Sequence, residues 1–212
     1  MDMTTLPEHP HTQAYIDGHF VDAVDGATFD SLAPVIESVD AGKPISDCRD
    51  FDLPDVLNTI RWYAEATDKV FGKVSPTDDG HLGLIVREPI GVVAAVLPWN
   101  FPLAMLAWKL APALAAGNSV IVKPAELSSL STLRVAELAT EAGVPDGVFN
   151  VVPGLGHVAG RAIGLHPDID LVAFTGSTEV GREFLRYAAD SNLKEVVLEL
   201  SLIHISEPTR PY

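Results

Sequence analysis

Asn100 is one of several polar residues in this sequence that follow an apolar, strand-like run and could therefore face a ligand. The run at 90–97 is rich in β-branched residues and ends at Pro98, as expected of a strand buried on both faces. Ligands of open α/β proteins bind beyond the carboxyl ends of such strands, where an asparagine amide offers two donors and one acceptor. The alternative interpretation is that Asn100 only caps the helix predicted to follow.

Lys123 and Glu126 offer an ammonium and a carboxylate three residues apart, at the end of a second predicted strand at 119–123. Both groups could bind the hydroxyls of a ribose at the edge of the sheet where ligands bind. The alternative is a solvated pair that flanks the turn at Pro124.

Ser177 lies at a predicted strand-to-helix turn, directly after Gly176. Free backbone N–H groups and the helix dipole at such a turn favour an anion such as a pyrophosphate. Ser177 could also be a plain N-cap, and the two interpretations are compatible. Glu179 suits the dipole but would repel a nearby phosphate, so we expect it to point away. The glycines at 154, 156 and 160 are spaced one residue longer than the dinucleotide-binding fingerprint and are weak evidence by themselves.

Glu199 ends a predicted strand among apolar neighbours, a setting that could suit a general base, although an ordinary strand-end carboxylate is the alternative. Cys48 lies in a polar segment with no histidine or predicted helix N-terminus nearby to favour its thiolate, so it is not predicted to be a nucleophile. The seven histidines show no metal-ligand spacing, so no metal site is predicted.

The elements that must position these residues alternate between apolar runs of strand length and segments of helical period, with Gly, Pro, Asn or Ser at each boundary. Short connections of this kind require parallel strands. Residues 91–200 are therefore predicted to form a doubly wound, mostly parallel, Rossmann-like α/β domain. The predicted strands are 90–97, 119–123, 148–152, 169–174 and 194–200, and the predicted helices are 101–116, 129–142, 159–165 and 179–189.

Residues 1–90 predict a separate N-terminal arm. The sequence indicates a hairpin around Asp17-Gly18, a helix at 54–71 and a strand at 82–87. A hairpin and a helix cannot bury much apolar surface alone, so we expect the arm to pack on the α/β domain or on a neighbouring subunit.

Composition narrows the possible partners and compartment. The net charge of −15 would repel nucleic acid, and a small-molecule enzyme surface fits it better. A single cysteine rules out an intramolecular disulfide framework, and the N-terminus lacks a basic region followed by an apolar one. The apolar stretches are broken before they reach membrane-spanning length. We therefore expect a cytoplasmic protein that binds neither membrane nor nucleic acid.

Five motifs, in their order along the chain, resemble the coenzyme-binding half of an aldehyde dehydrogenase. Their order makes the resemblance highly specific, and it covers about residues 15–200. Two further stretches, 41–45 and 60–65, resemble family members that act on aminoaldehydes, including γ-glutamyl-γ-aminobutyraldehyde. The five motifs are Pro98-Trp99-Asn100-Phe101-Pro102, Lys123-Pro124-Ala125-Glu126, Gly154-Leu155-Gly156, Phe174-Thr175-Gly176-Ser177-Thr178-Glu179-Val180-Gly181 and Leu198-Glu199-Leu200.

The resemblance implies NAD(P)-dependent oxidation of an aldehyde to a carboxylic acid, in which a cysteine attacks the carbonyl and water hydrolyses the thioester. Asn100 would donate its amide to the oxyanion, and Glu199 would be the general base. Lys123 and Glu126 would hold the adenosine ribose, which favours NAD with NADP as the alternative, and Ser177 would hold the pyrophosphate. The other implied cofactor-binding positions are Leu97, Pro98, Trp99, Pro124, Ala125, Gly156, Gly160, Phe174, Thr175, Gly176, Val180 and Gly181.

The chain also departs from the family. Several dozen residues that the family has are absent between positions 35 and 36, so the arm is expected to carry an internal deletion. After Leu200 the family continues into the domain that holds the nucleophilic cysteine, whereas residues 201–212 resemble a translated sequencing adapter and form a non-family tail. We therefore expect a fragment without turnover of its own, from a family that forms homo-oligomers. The alternatives are a non-catalytic dinucleotide-binding fragment and a chain that does not fold stably, because a truncated sheet leaves an unpaired edge.

Overall fold

The computed structural model describes residues 14–16, 19–21 and 36–200, and every structural statement below concerns these residues. The predicted turn at Asp17-Gly18, the chain before the 35/36 junction and the tail at 201–212 lie outside them. The strands are β1 Ala14–Ile16, β2 His19–Val21, β3 Lys73–Ser75, β4 Gly83–Ile85, β5 Val92–Val96, β6 Ser119–Lys123, β7 Phe149–Val151, β8 Leu171–Gly176 and β9 Glu195–Leu200. The helices are α1 Ile36–Asp40, α2 Ile45–Asp47, α3 Leu53–Ala66, α4 Pro102–Ala115, α5 Leu130–Glu141, α6 Arg161–Leu165 and α7 Thr178–Ala189, with π-helical turns at Cys48–Asp52 and Gly156–Gly160.

A seven-stranded sheet in the order β2-β1-β7-β6-β5-β8-β9 forms the centre of the fold. The five neighbouring strands β7, β6, β5, β8 and β9 are parallel to one another. The hairpin of β1 and β2 adds to this sheet antiparallel, through the pair Tyr15 and Val151. The predicted α/β fold with a mostly parallel sheet is confirmed.

Helices cover both faces of the sheet at β5 and β6, which explains why these strands are mostly apolar, whereas alternate residues of β9 are exposed. One core cluster joins α4 and α5 to one face, with Leu106, Val120 and Val151 at its centre. A second cluster on the other face contains Val172 and Phe184. Within the described residues, no helix is both long and apolar enough to cross a bilayer.

Element bounds within 91–200 match the sequence-based prediction closely, whereas the arm differs from it. The helix predicted at 54–71 ends at Ala66, because the Thr67 hydroxyl and the Lys69 ammonium donate to its last carbonyls and the chain turns there. The strand predicted at 82–87 contains only Gly83–Ile85 and pairs with β3, which the sequence did not predict. Helices α1 and α2 were not predicted either.

Candidate functional site

The predicted site residues gather at one edge of the sheet because the five parallel strands end there. Val96, the last residue of β5, lies beside Lys123 of β6 and Phe174 of β8. The Leu97 amide donates to the Lys123 carbonyl at 3.0 Å, which joins the two strand ends where the next loops begin. The loops that follow β5, β6, β7 and β8 therefore meet at this edge.

Lys123 is buried, with 3% of its surface exposed, so it is not the solvated lysine of the alternative interpretation, whereas the Glu126 side chain is 35% exposed. Its ammonium donates to the Pro124 carbonyl at 2.9 Å and lies 3.4 Å from the Glu126 carboxylate. Burial lowers the pKa of Lys123, and the charge of Glu126 partly offsets this. The motif Lys123-Pro124-Ala125-Glu126 therefore places a cation and an anion side by side, and the two residues between them, Pro124 and Ala125, are buried.

Gly156 connects the loop after β7 to this pair, because its amide donates to Oε1 of Glu126. A Cβ at Gly156 would lie 3.4 Å from the same oxygen, which is an ordinary van der Waals contact. Gly160 lies beside the Lys123 stem, where a Cβ would be 3.9 Å from its Cδ. The segment with the long glycine spacing thus forms a π-helical turn instead of the turn of the dinucleotide-binding fingerprint. This turn brings Gly156 to Glu126 and Gly160 to Lys123.

Ser177 is the N-cap of α7, as predicted, and its hydroxyl accepts from the Val180 amide at 3.3 Å. The amides of Thr178 and Glu179, in the first turn, have no intrahelical acceptor and remain for an anion. The Glu179 side chain is exposed. A Cβ at Gly181 would lie 2.7 Å from Leu200, so glycine lets this helix pack closely on β9.

Gly176 closes β8 under the Phe174 ring, which a Cβ would approach to 2.6 Å. The next residue back, Thr175, pairs with Glu199 across β8 and β9. Its hydroxyl donates to Oε2 of Glu199 at 2.8 Å. The backbone register therefore holds the candidate base beside the turn that leads to Ser177.

Lys109 is a site residue that the sequence interpretation missed. Its ammonium lies 3.4 Å from Oε2 of Glu199, so this carboxylate contacts a cation and a hydroxyl in addition to its apolar strand neighbours. Burial lowers the pKa of Lys109, and Glu199 partly offsets the effect. The feature of the sequence that could have identified Lys109 is that it is the single charged residue of α4.

Asn100 is exposed beyond β5, and it is not the helix cap. The N-cap of α4 is Phe101, without a side-chain cap bond, so the capping alternative is wrong. Within the described residues, no hydrogen bond joins the Asn100 amide to Glu199, although both lie at the carboxyl edge. Trp99, beside it, is 61% exposed, and Pro98 is half-buried.

Cys48 lies in the first π-helical turn and is buried. Burial, with nearby Asp52 and Glu37, raises the pKa of its thiol, which disfavours the nucleophilic thiolate. Over the described ranges, no group of three or more His, Cys, Asp or Glu side chains could hold a metal ion.

Comparison with known proteins identifies similar sequences. The model of the aldehyde dehydrogenase family matches residues 28–201. Aminoacetaldehyde dehydrogenase of Pseudomonas aeruginosa is 62% identical over 165 residues, which are 78% of this chain and 33% of that protein. The NADP/NAD-dependent aldehyde dehydrogenase PuuC of Escherichia coli is 58% identical over the same shares.

Solved structures are similar as well. The crystal structure of the aldehyde dehydrogenase KauB from Pseudomonas aeruginosa superposes with a TM-score of 0.88 at 40% identity, over 91% of this chain and 51% of that one. The chain spans about a third of the length of the two curated relatives. From its family match, its relatives and its fold, the chain belongs to the aldehyde dehydrogenase family.

Proposed function

We propose that these residues are the coenzyme-binding part of a protein that oxidises an aldehyde to a carboxylic acid with NAD(P). The observation that carries the proposal is that the buried Lys123, the partly exposed Glu126 and Gly156 meet at the carboxyl edge of the sheet, the edge at which the first turn of α7 also begins. A ribose needs hydroxyl-binding groups and a pyrophosphate needs amide donors, and one sheet edge offers both.

The donor set fits NAD. Lys123 and Glu126 would hold the adenosine ribose hydroxyls, and the amides of the first turn of α7, behind Ser177, would hold the pyrophosphate. Trp99 and Gly176 would line the path to the nicotinamide. The bound coenzyme supplies the hydride acceptor. A carboxylate at Glu126 suits a free 2′-hydroxyl better than a 2′-phosphate, which favours NAD over NADP.

Asn100 and Glu199 are the proposed catalytic residues. The Asn100 amide would donate a hydrogen bond to the oxyanion that forms on the substrate carbonyl. Glu199 would take a proton from the attacking thiol or water, held at its place by the Thr175 hydroxyl and the Lys109 ammonium. Cys48 does not supply that thiol, because it is buried and its pKa is raised.

An aminoaldehyde is the proposed substrate class, supported by the names of similar proteins and by the motifs at 41–45 and 60–65. The net charge of −15 argues against nucleic-acid partners, and the single cysteine fits a cytoplasmic protein without membrane contact. A homo-oligomer is proposed for the whole protein. We divide the chain into an arm at 1–90 with an internal deletion, a coenzyme-binding domain at 91–200 and a non-family tail at 201–212.

Calorimetric titration with NAD tests the proposal, using two lysines that are buried to similar extents. Lys123→Met removes the proposed ribose ligand. Lys194→Met removes a lysine that is 6% exposed and donates to the Gly164 carbonyl and the Ser191 hydroxyl, at the opposite end of the sheet. Loss of a charged hydrogen bond should lower NAD affinity roughly 10- to 100-fold in Lys123→Met and leave it unchanged in Lys194→Met. Equal affinities for both variants and the wild-type protein would contradict the proposal.

Non-catalytic dinucleotide binding is the second candidate function, and the burial of Cys48 favours it for these 212 residues taken alone. The purified chain is then expected to bind NAD but not to reduce it when an aldehyde is added. Aldehyde-dependent NADH formation that disappears in Glu199→Gln would reject this candidate and support catalysis by the chain itself.

A further inference from the structure

Glu37 and Asp40, which we call the acidic clasp, lie three residues apart on α1 and therefore on one helix face. They are 5% and 7% exposed, so both carboxylates are removed from water. A buried carboxylate is costly unless hydrogen-bond donors stabilise it, and backbone amides bind one oxygen of each of these two carboxylates.

Each carboxylate binds the first turn of a helix that follows a strand of the parallel sheet. Oε1 of Glu37 accepts from the Leu103 amide of α4 at 3.1 Å. Oδ2 of Asp40 accepts from the amides of Leu130 and Ser131 of α5, at 3.0 and 3.1 Å. These amides have no intrahelical acceptor, and the positive ends of the helix dipoles favour a negative charge. Neither helix has a side-chain cap bond from its own N-cap residue.

The clasp binds the two helices immediately after proposed site residues. Helix α4 begins two residues after Asn100, and α5 begins four residues after Glu126. A second contact holds the chain just before α4, because the Lys43 ammonium lies 3.3 Å from the centre of the ring of Phe101, which is next to Asn100. Lys43 is itself held by Asp52 at 2.7 Å.

We propose that Glu37 and Asp40 are positioning residues, which fix Asn100 and the Lys123–Glu126 pair relative to each other by capping α4 and α5 from one short helix. This inference rests on the proposed function of those site residues. The two carboxylates have different roles, because Glu37 acts on the Asn100 segment and Asp40 acts on the ribose-binding segment. A side-chain cap from within the helix's own segment, like that of Ser177 on α7, would satisfy the same amides locally without linking the two helices.

Alanine variants separate the two halves of the clasp, and amide variants serve as rescue. Glu37→Ala and Asp40→Ala remove the acceptors, whereas Glu37→Gln and Asp40→Asn keep an acceptor oxygen for the helix amides. The matched controls are Glu65→Ala and Asp79→Ala, two exposed carboxylates away from the clasp. All are made in the full 212-residue chain.

Hydrogen exchange and the indole NMR signal of Trp99 report on positioning directly. In Glu37→Ala the Leu103 amide should exchange roughly 10- to 100-fold faster, with a shifted Trp99 signal, while Leu130 and Ser131 stay unchanged. Asp40→Ala should give the reverse pattern. Glu37→Gln and Asp40→Asn should restore most of the protection.

Binding of 5′-AMP supplies the functional readout, because it carries the ribose and a phosphate. Its affinity should fall about tenfold in Asp40→Ala, since the hydrogen bonds from the Leu130 and Ser131 amides are lost and no longer hold the segment of Lys123 and Glu126. It should stay within about twofold of wild type in Glu37→Ala and in the controls, because the α5 contacts are intact there.

Equal loss of protection at both helices in either alanine variant, or unchanged exchange in both, would overturn the proposal. So would equal 5′-AMP affinities for Asp40→Ala and Glu37→Ala in a wild-type protein that binds 5′-AMP. If the wild-type protein binds neither 5′-AMP nor NAD, the proposed function fails. The exchange pattern and the Trp99 signal then still decide whether the clasp positions the two segments.

Discussion

Raising the pH is expected to destabilise this protein through Glu37. Burial raises the pKa of this carboxyl to about 7 from 4.5, against the opposing effects of the Leu103 amide, Lys43 and the Ser131 hydroxyl, and with a further increase from Asp52. Between these two pKa values the folded state keeps a proton that the unfolded chain releases. Stability from this group is therefore fully present below the unfolded pKa and is lost as the pH rises through 7.

The loss can be worked from the shift. At about 1.4 kcal/mol per pKa unit, ionisation of Glu37 should lower the free energy of unfolding by about 2.5 kcal/mol between about pH 5 and pH 8. Burial also raises the pKa of Asp40 to about 6, against its bonds to Leu130 and Ser131, and the part of its loss above about pH 5 is about 1.4 kcal/mol. Glu37→Gln keeps an acceptor for the helix amide but cannot titrate, so its stability relative to wild type should rise by about 2.5 kcal/mol over this interval.

Urea unfolding at about pH 5, 6.5 and 8 measures this difference, with the exposed Glu65→Gln as the control. The control should follow the wild-type protein at every pH. A single cooperative transition in the wild-type protein would also reject the alternative that the chain does not fold stably. A difference between Glu37→Gln and wild type that does not change with pH, or that falls as the pH rises, would refute the reasoning.

Three further substitutions test separate parts of the fold, each by its free energy of unfolding in urea. Ser177→Ala removes the acceptor for the Val180 amide and should cost about 1 kcal/mol, and no loss would contradict the cap. Gly164→Ala would place a Cβ 2.5 Å from the Tyr187 ring and should cost about 1–3 kcal/mol, whereas a neutral effect would contradict this close packing. Asn118→Ala removes a buried amide that bonds two backbone groups and should cost about 1–3 kcal/mol, and Asn118→Asp, which keeps only the acceptor, should recover part of the loss.

The parallel sheet was predictable because its signals are local. Residues 119–123 have a β-branched, apolar centre at 120–122 and lie between a glycine-asparagine turn and a proline, and they form β6 with the predicted bounds. The cap at Ser177 follows from the same kind of local rule and was confirmed. Local propensity, turn residues and helical period agree in this half of the chain, and such agreement makes a prediction reliable.

The contacts that organise the site were not predictable, because they join distant parts of the chain. Lys109 and Glu199 are 90 residues apart in sequence, and Glu37 and Leu103 are 66 apart. A single sequence gives no signal for either pair. The burial of Lys123 was also open, since an isolated lysine near a proline is more often solvated than buried.

Binding of NAD at the carboxyl edge of this sheet can be observed in a crystal structure of the chain grown with NAD. The adenosine ribose hydroxyls should lie within hydrogen-bond distance of Lys123 and Glu126, and the pyrophosphate should lie against the first turn of α7. NAD bound elsewhere on the molecule, or a ribose turned away from Lys123 and Glu126, would contradict it.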